Sequence, residues 1–187
     1  MAEDENNFVM KVAFFDRDGV INKDISYLYK WEYFEYQKLV KTALLRLVEA
    51  EYKIIIVTNQ SGIARGFYSE DDFLILMSNM KQDLEKSGID VLDVFYCPHH
   101  VDGVIKNYVV DCSCRKPKPG LFFKAYEKYD INLAKSAMFG DRCSDLEAAQ
   151  AAGITNRFLI QNDFHSNVAL NTFENLQEAV DTFLISV

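Results

Sequence analysis

The chain has 187 residues, 49% of them hydrophobic and 26% charged, with a formal net charge of −8. That length suits one domain with a sizeable core, and the acidic balance excludes a broad nucleic-acid-binding face, which needs clustered Lys and Arg. No apolar run approaches the ~20 residues needed to cross a bilayer, and the polar, acidic stretch Met1–Asn7 does not read as an export signal.

In chain order, Met10–Phe15 reads as a buried strand, since Val12, Ala13, Phe14 and Phe15 are continuously apolar. Residues 39–51 carry Leu39, Val40, Ala43, Leu44, Leu47 and Val48 at helical spacing. Lys53–Val57 is a second strand. Ser69, followed by Glu70, Asp71 and Asp72, opens a helix to about Lys86, which Ser87-Gly88 closes. Val91–Tyr96 is a third strand, and Lys118-Pro119-Gly120 opens the next helix with Pro119 in its first turn. Ala137–Gly140 is a short fourth strand. Ser144 is expected to cap a helix that runs to Ala152 and ends at Gly153. Arg157–Gln161 is a fifth strand and Asn175–Ile185 a final helix. The alternation predicts an α/β fold, a Rossmann-like parallel sheet with helices on both faces. One domain, 1–187, is expected, with no repeat or linker. Segments 19–38 and 97–118 are long for plain connections, and long ordered loops are usually functional.

The chemistry collects at strand ends. After the first strand come Asp16-Arg17-Asp18-Gly19. Residues i and i+2 of an extended chain share a face, so Asp16 and Asp18 would face one site. Close carboxylates repel unless a cation or a shared proton relieves them. The pair therefore suits a nucleophile, a proton-transfer group and a hard metal. A calcium loop is excluded, because its twelfth position needs Glu and here is Tyr27. The second strand ends in Thr58-Asn59-Gln60-Ser61-Gly62, whose hydroxyls, amides and backbone N–H groups can hold phosphoryl oxygens. Arg115, Lys116 and Lys118 supply local positive charge against the acidic whole. After the fourth strand, Asp141 can complete a metal site with Asp16, and Asp145 can cap a helix or orient the site. Each motif alone also fits an ordinary polar turn, basic turn or helix cap. Their recurrence at successive strand ends favours a site.

Three of the four cysteines, Cys97, Cys112 and Cys114, lie in one 18-residue window with His99 and His100. In an expected reducing cytosol, metal binding outranks disulfides. Three thiolates and one imidazole make a closed tetrahedral set, and spacing leaves either histidine open. Cys143 reads as a small packed residue and His165 as a surface histidine.

The motifs DRDGVIN, VTNQSGIARG, CPHH with CSCRKP, and GDRCSD resemble those of the haloacid dehalogenase-like phosphatases, from about Met10 to Ile160. The resemblance is greatest to the D-glycero-D-manno-heptose 1,7-bisphosphate phosphatases, in the subfamily that includes histidinol-phosphate phosphatases. It implies Asp16 as nucleophile and Asp18 as acid and then base. It implies Mg²⁺ held by Asp16, the Asp18 backbone and Asp141, and Thr58 and Lys116 steadying the phosphoryl group. It places substrate contacts at Asp24, Ile25, Ser26, Tyr27, Asn59, Gln60, Ser61, Arg115, Lys116 and Arg142, with Arg115 also assisting catalysis. It selects His99 beside Cys97, Cys112 and Cys114 for a structural Zn²⁺. A fairly open site without a large cap domain follows, acting on a small phosphorylated sugar, with no nucleic-acid or membrane partner. Nothing sets the oligomeric state, and a monomer is compatible with the sequence. Asp18 is expected to have a raised pKa, since it must start protonated. Val20, Ser26 and Arg142 depart from common family residues without removing a catalytic group. The alternatives are a histidinol-phosphate or broad sugar-phosphate phosphatase, and an inactive zinc-stabilised binding module.

Overall fold

A computed structural model describes residues 9–160 and 172–187. Gln161, His165 and the Met1–Asn7 stretch lie outside these described residues. Six parallel strands form one sheet: β1 (Val12–Phe15), β2 (Lys53–Asn59), β3 (Val91–Cys97), β4 (Ala137–Gly140), β5 (Asn156–Ile160) and β6 (Thr172–Phe173). Their order is β3-β2-β1-β4-β5-β6. The order reverses beside β1, which pairs with β2 on one side and β4 on the other. In open α/β sheets that reversal leaves a crevice at the carboxyl ends.

Alternating β1 residues feed two cores. Ala13 and Phe15 join one with α1 (Val40–Glu49), α3 (Glu70–Glu85) and α6 (Leu176–Ser186). Val12 and Phe14 join the other with α4 (Gly120–Lys128) and α5 (Cys143–Ala151). Burial on both faces is why β1 reads as an apolar run rather than an alternating one. Across the sheet, Phe139 stacks on Phe15 at 5.1 Å between ring centroids and on Phe158 at 5.0 Å.

Several boundaries differ from the sequence expectation. The first strand begins at Val12, because Met10 pairs instead with the segment before β4: its N–H donates to Asp130 O and its carbonyl accepts from Asn132 N. Ser144 is not the cap of α5. Arg142 holds that position, and the Asp145 carboxylate accepts its N–H at 3.1 Å. The acidic third residue thus caps backwards, starting the helix earlier and leaving Ser144 in its first turn. Pro119 likewise precedes α4 as its N-cap rather than entering its first turn. The short α2 (Ser61–Ala64) and β6 were not expected; segments of 4 and 2 residues leave little periodicity to read.

Among the described residues no separate cap domain covers the crevice. Loop 98–119 docks instead on neighbouring helices. Val104 N and Ile105 N both donate to Ala64 O, and the Tyr108 hydroxyl donates at 2.8 Å to the Glu70 carboxylate, which also accepts from Tyr96 of β3 at 2.7 Å. No helix among the described residues is long and apolar enough to cross a membrane.

Truncating Phe139 removes the middle ring of the stack at the centre of the sheet. Phe139→Ala is expected to cost about 3–5 kcal/mol, read as a lowered denaturation midpoint at unchanged slope.

Candidate active site

The carboxyl end of β1 delivers Asp16, whose N–H donates to Phe139 O at 3.0 Å. Lys116 reaches it from the far side of the crevice. Its ammonium donates to Asp16 Oδ1 at 2.8 Å and Val57 O at 2.7 Å, and pairs with Asp145 Oδ1 at 2.7 Å. Asn59, at the end of β2, aims this lysine. Its Nδ2 donates to Lys116 O and its Oδ1 accepts Lys116 N–H, both at 3.1 Å. Burial opposes the charge on Lys116, but Asp145 and Asp16 outweigh it and push the pKa up to about 12.

One ammonium does not neutralise the carboxylates around it. Burial raises Asp16 to about 6, opposed by Lys116 and reinforced by Asp145 and Asp18. Burial, then Asp16 and Asp145, raise Asp141 to about 8. Asp141 Oδ1 is buried with no hydrogen-bond partner. Oxygens of Asp16, Asp141 and Asp145 lie within 4.8 Å of one another. A crowded, under-compensated oxygen cluster fits a hard divalent cation. Gly19 makes the crowding possible: its φ is +86°, and a Cβ there would lie 2.2 Å from Asp141 Oδ2.

Asp18 behaves contrary to expectation. Burial would raise its pKa, but Arg17 outweighs burial, with help from Asn22 and Gln60, and the result is a lowered value. The Arg17 Nη2 donates to both Asp18 oxygens at 2.7 Å, and Asn22 Nδ2 and Gln60 Nε2 donate at 3.0 and 3.1 Å. Arg17 is fully buried, its guanidinium 5.6 Å from the Phe73 ring centroid. The sequence expectation overlooked this adjacent cation, because neighbouring residues in a strand point apart; here the strand ends at Phe15 and the chain bends at Arg17, so the two side chains meet.

These groups open into a cavity of about 290 Å³ lined by Asp16, Asp18, Lys116 and Asp145, and by Asp24, Ser26, Tyr27, Asn59, Gln60, Ser61, Arg115 and Arg142. Thr58 is not in the lining: it is buried directly behind Gln60, which donates to its hydroxyl at 2.8 Å. Ile25 is not brought in: it is about half exposed and is absent from the lining. Ser26 and Tyr27 both have left-handed φ, near 59° and 56°. The turn is held by Asp24, which accepts Ser26 N–H at 2.9 Å and pairs with Arg142 at 3.2 Å, and by Phe67, whose ring meets Tyr27 edge-on at 4.4 Å.

Cys97, His99, Cys112 and Cys114 converge beside the crevice. The sulfur separations from Cys112 to Cys97 and Cys114 are 3.5 and 3.4 Å, and His99 Nδ1 lies 3.7 and 3.4 Å from Cys97 and Cys114. These are edge lengths of a tetrahedron around an ion with bonds of ~2.0–2.3 Å, so the donor set fits a closed metal site. His100 is elsewhere, with its Nε2 3.2 Å from Arg65 Nη2. Cys143 is half-buried at the start of α5, outside the cluster. The Arg115 guanidinium donates to His99 O at 3.4 Å, joining cluster and cavity.

Gly62, in the loop expected to hold phosphoryl oxygens, also lines the cavity; sequence reasoning missed Tyr68 and Ser144, which line it too. Tyr68 directly precedes the N-cap Ser69, where an apolar residue ordinarily reads as a packing staple. Nothing local reveals that its hydroxyl is used.

A reversing parallel sheet with an aspartate pair, a buried lysine and a further aspartate at its carboxyl edge defines a haloacid dehalogenase-like phosphohydrolase. A family model described as polynucleotide kinase 3 phosphatase matches residues 11–170. A D-glycero-alpha-D-manno-heptose-1,7-bisphosphate 7-phosphatase of Photorhabdus laumondii is 47% identical over 152 residues, 81% of this chain and 83% of that protein. A D-glycero-beta-D-manno-heptose-1,7-bisphosphate 7-phosphatase of Vibrio cholerae is 41% identical, over 80% of each. The crystal structure of D,D-heptose 1,7-bisphosphate phosphatase from B. bronchiseptica, complexed with magnesium and phosphate, superposes with a TM-score of 0.77 at 28% identity, covering 95% of this chain and 100% of that one. The chain belongs to the haloacid dehalogenase-like phosphatases, in the family of the D-glycero-D-manno-heptose-1,7-bisphosphate 7-phosphatases.

Gly19→Ala is expected to lower phosphatase turnover at least about a hundredfold, the scale of a misplaced catalytic group, because its methyl would displace Asp141. Turnover at saturating Mg²⁺, with the melting temperature recorded alongside, checks this.

Proposed function

We propose that this protein removes the 7-phosphate of a D-glycero-D-manno-heptose 1,7-bisphosphate in the synthesis of heptose nucleotides for lipopolysaccharide or related glycans. One observation carries the reading. A single cavity holds the Asp16–Lys116 centre and two further guanidiniums, Arg115 and Arg142, which suits a substrate with a phosphate at each end. Its ~290 Å³ is at the small end of ligand sites, in keeping with a sugar phosphate held without a cap.

Asp16 is the nucleophile. Lys116 occupies its Oδ1, so Oδ2 attacks phosphorus in line while the bond from phosphorus to the C7 oxygen breaks. Asp18 gives its proton to that oxygen, releasing the sugar and leaving an aspartyl phosphate. The Asp18 carboxylate then takes a proton from water, the water oxygen attacks phosphorus, and the Asp16 carboxylate and inorganic phosphate are regenerated. In the free protein Arg17 holds Asp18 ionised. An arriving phosphate anion opposes that by adding negative charge beside it. Thr58 and Lys116 hold phosphoryl oxygens. Asp16, the Asp18 backbone carbonyl and Asp141 would hold Mg²⁺, which when bound supplies positive charge for the phosphoryl oxygens. Cys97, His99, Cys112 and Cys114 would hold a structural Zn²⁺.

A substrate panel tests the choice. Both anomers of the heptose bisphosphate should lose the 7-phosphate, with histidinol phosphate turned over at least about a hundredfold less efficiently. Equal turnover of histidinol phosphate overturns the substrate assignment, and undiminished turnover by Asp16→Asn overturns the mechanism. Arg142→Ala should raise KM for the bisphosphate about tenfold while leaving KM for a monophosphate ester nearly unchanged.

Chelation of the bound Zn²⁺ should raise amide hydrogen exchange in residues 98–119 well above that in β1 and β4. Unchanged exchange after confirmed metal loss overturns a structural role for the ion in this loop.

A further inference from the structure

Tyr68 is tied into the site by a chain of hydrogen bonds. Its hydroxyl donates to Gln60 Oε1 at 2.6 Å. The Gln60 Nε2 then donates to Thr58 Oγ1 at 2.8 Å and to Asp18 Oδ2 at 3.1 Å. Tyr68, Gln60 and Thr58 are all buried, so each polar atom depends on its protein partner.

The direction of the chain follows from its ends. Asp18, gripped by Arg17, is an acceptor, so the nitrogen of the Gln60 amide must face it. The amide oxygen therefore faces Tyr68, which has to donate. With one amide hydrogen given to Asp18, the other goes to Thr58. Thr58 is then an acceptor within the chain, and its own hydroxyl hydrogen is the donor left for a ligand.

Tyr68 is itself firmly held. Its ring stacks on Tyr29 with 5.4 Å between centroids, at 14° between planes. It also lies on the bare backbone of Gly62, where a Cβ would come within 2.2 Å of the ring. The hydroxyl is thus fixed by packing that does not involve Gln60. Without it, buried Gln60 Oε1 loses its donor, and the amide is released to turn away from Thr58.

We propose that Tyr68 is a positioning residue for phosphoryl transfer: by donating to Gln60 it sets the amide so that Thr58 accepts, keeping the Thr58 hydroxyl hydrogen directed to a phosphoryl oxygen. This rests on the reading of Thr58 as a phosphoryl-holding group. Tyr68 acts through two side chains and carries no chemistry of its own. Asp18 retains Arg17 and Asn22 when Gln60 shifts, so Thr58 is the group more affected.

A double-mutant cycle tests this. Tyr68→Phe keeps the ring, so the fold should be retained, with the melting temperature lowered by only a few degrees for the Gln60 oxygen left without its donor. Its kcat should fall about tenfold, less than the loss from deleting a transition-state donor outright, with KM changed by less than about twofold. Thr58→Val should itself lower kcat. In that background Tyr68→Phe should cost less than about threefold, because the group it acts through is gone. Equal losses in both backgrounds overturn the role of Tyr68 and leave the reading of Thr58 intact. Full activity of Thr58→Val overturns that reading, and the role of Tyr68 with it. Unchanged kcat for Tyr68→Phe in the wild-type background overturns the role of Tyr68 alone.

Discussion

The Lys116 ammonium is almost wholly withdrawn from solvent, and it keeps its charge because Asp16 and Asp145 lie 2.8 and 2.7 Å away. Removing one partner from such a pair strands the other charge, at about 3–5 kcal/mol. The arrangement must therefore be built complete, and it draws on three strand ends at once. β1 supplies Asp16, the turn after β4 leads to Asp145, and Asn59 of β2 fixes the backbone of Lys116. The crevice at the strand reversal is where these ends meet, so the sheet order and the ion pairs depend on each other.

The chain carries more acid than base, yet its site must receive an anion. The conflict is resolved locally. Lys116 meets the aspartates at the cavity floor, while Arg115 and Arg142 also line the cavity. Arg115 follows Cys114 directly and touches His99 O. The Cys–His cluster therefore adjoins one wall of the cavity, in a loop that also meets Ala64, Glu70 and Arg65 and carries Lys116 to the aspartates.

Much of this was legible in the sequence for a physical reason. Doubly buried strands must be apolar along their length, so Val12–Phe15 and Ile54–Val57 announce themselves, and the polar residues that follow mark the carboxyl edge. The Cys–His spacing and the basic run at Arg115 were visible on the same terms. What was hidden depends on side-chain direction. Arg17 turns back on Asp18 instead of away from it, reversing the expected pKa shift. Tyr68 looks like packing until its hydroxyl is followed to Gln60. Ile25 shares a segment with Asp24 and Ser26 but not their orientation toward the cavity. Ser144 yielded the α5 cap to Arg142 because Asp145 reaches back to that N–H.

The ion pair between Arg142 and Asp24 joins the loop after β4 to the turn after β1. In the proposed reading, a distal phosphate that reaches Arg142 meets a guanidinium that already gives one nitrogen to a carboxylate. The remaining N–H donors face outward and are free to take the anion. Asp24 therefore acts as a tether on the arginine: it holds the fork in one orientation before a ligand arrives, so less side-chain freedom is lost on binding.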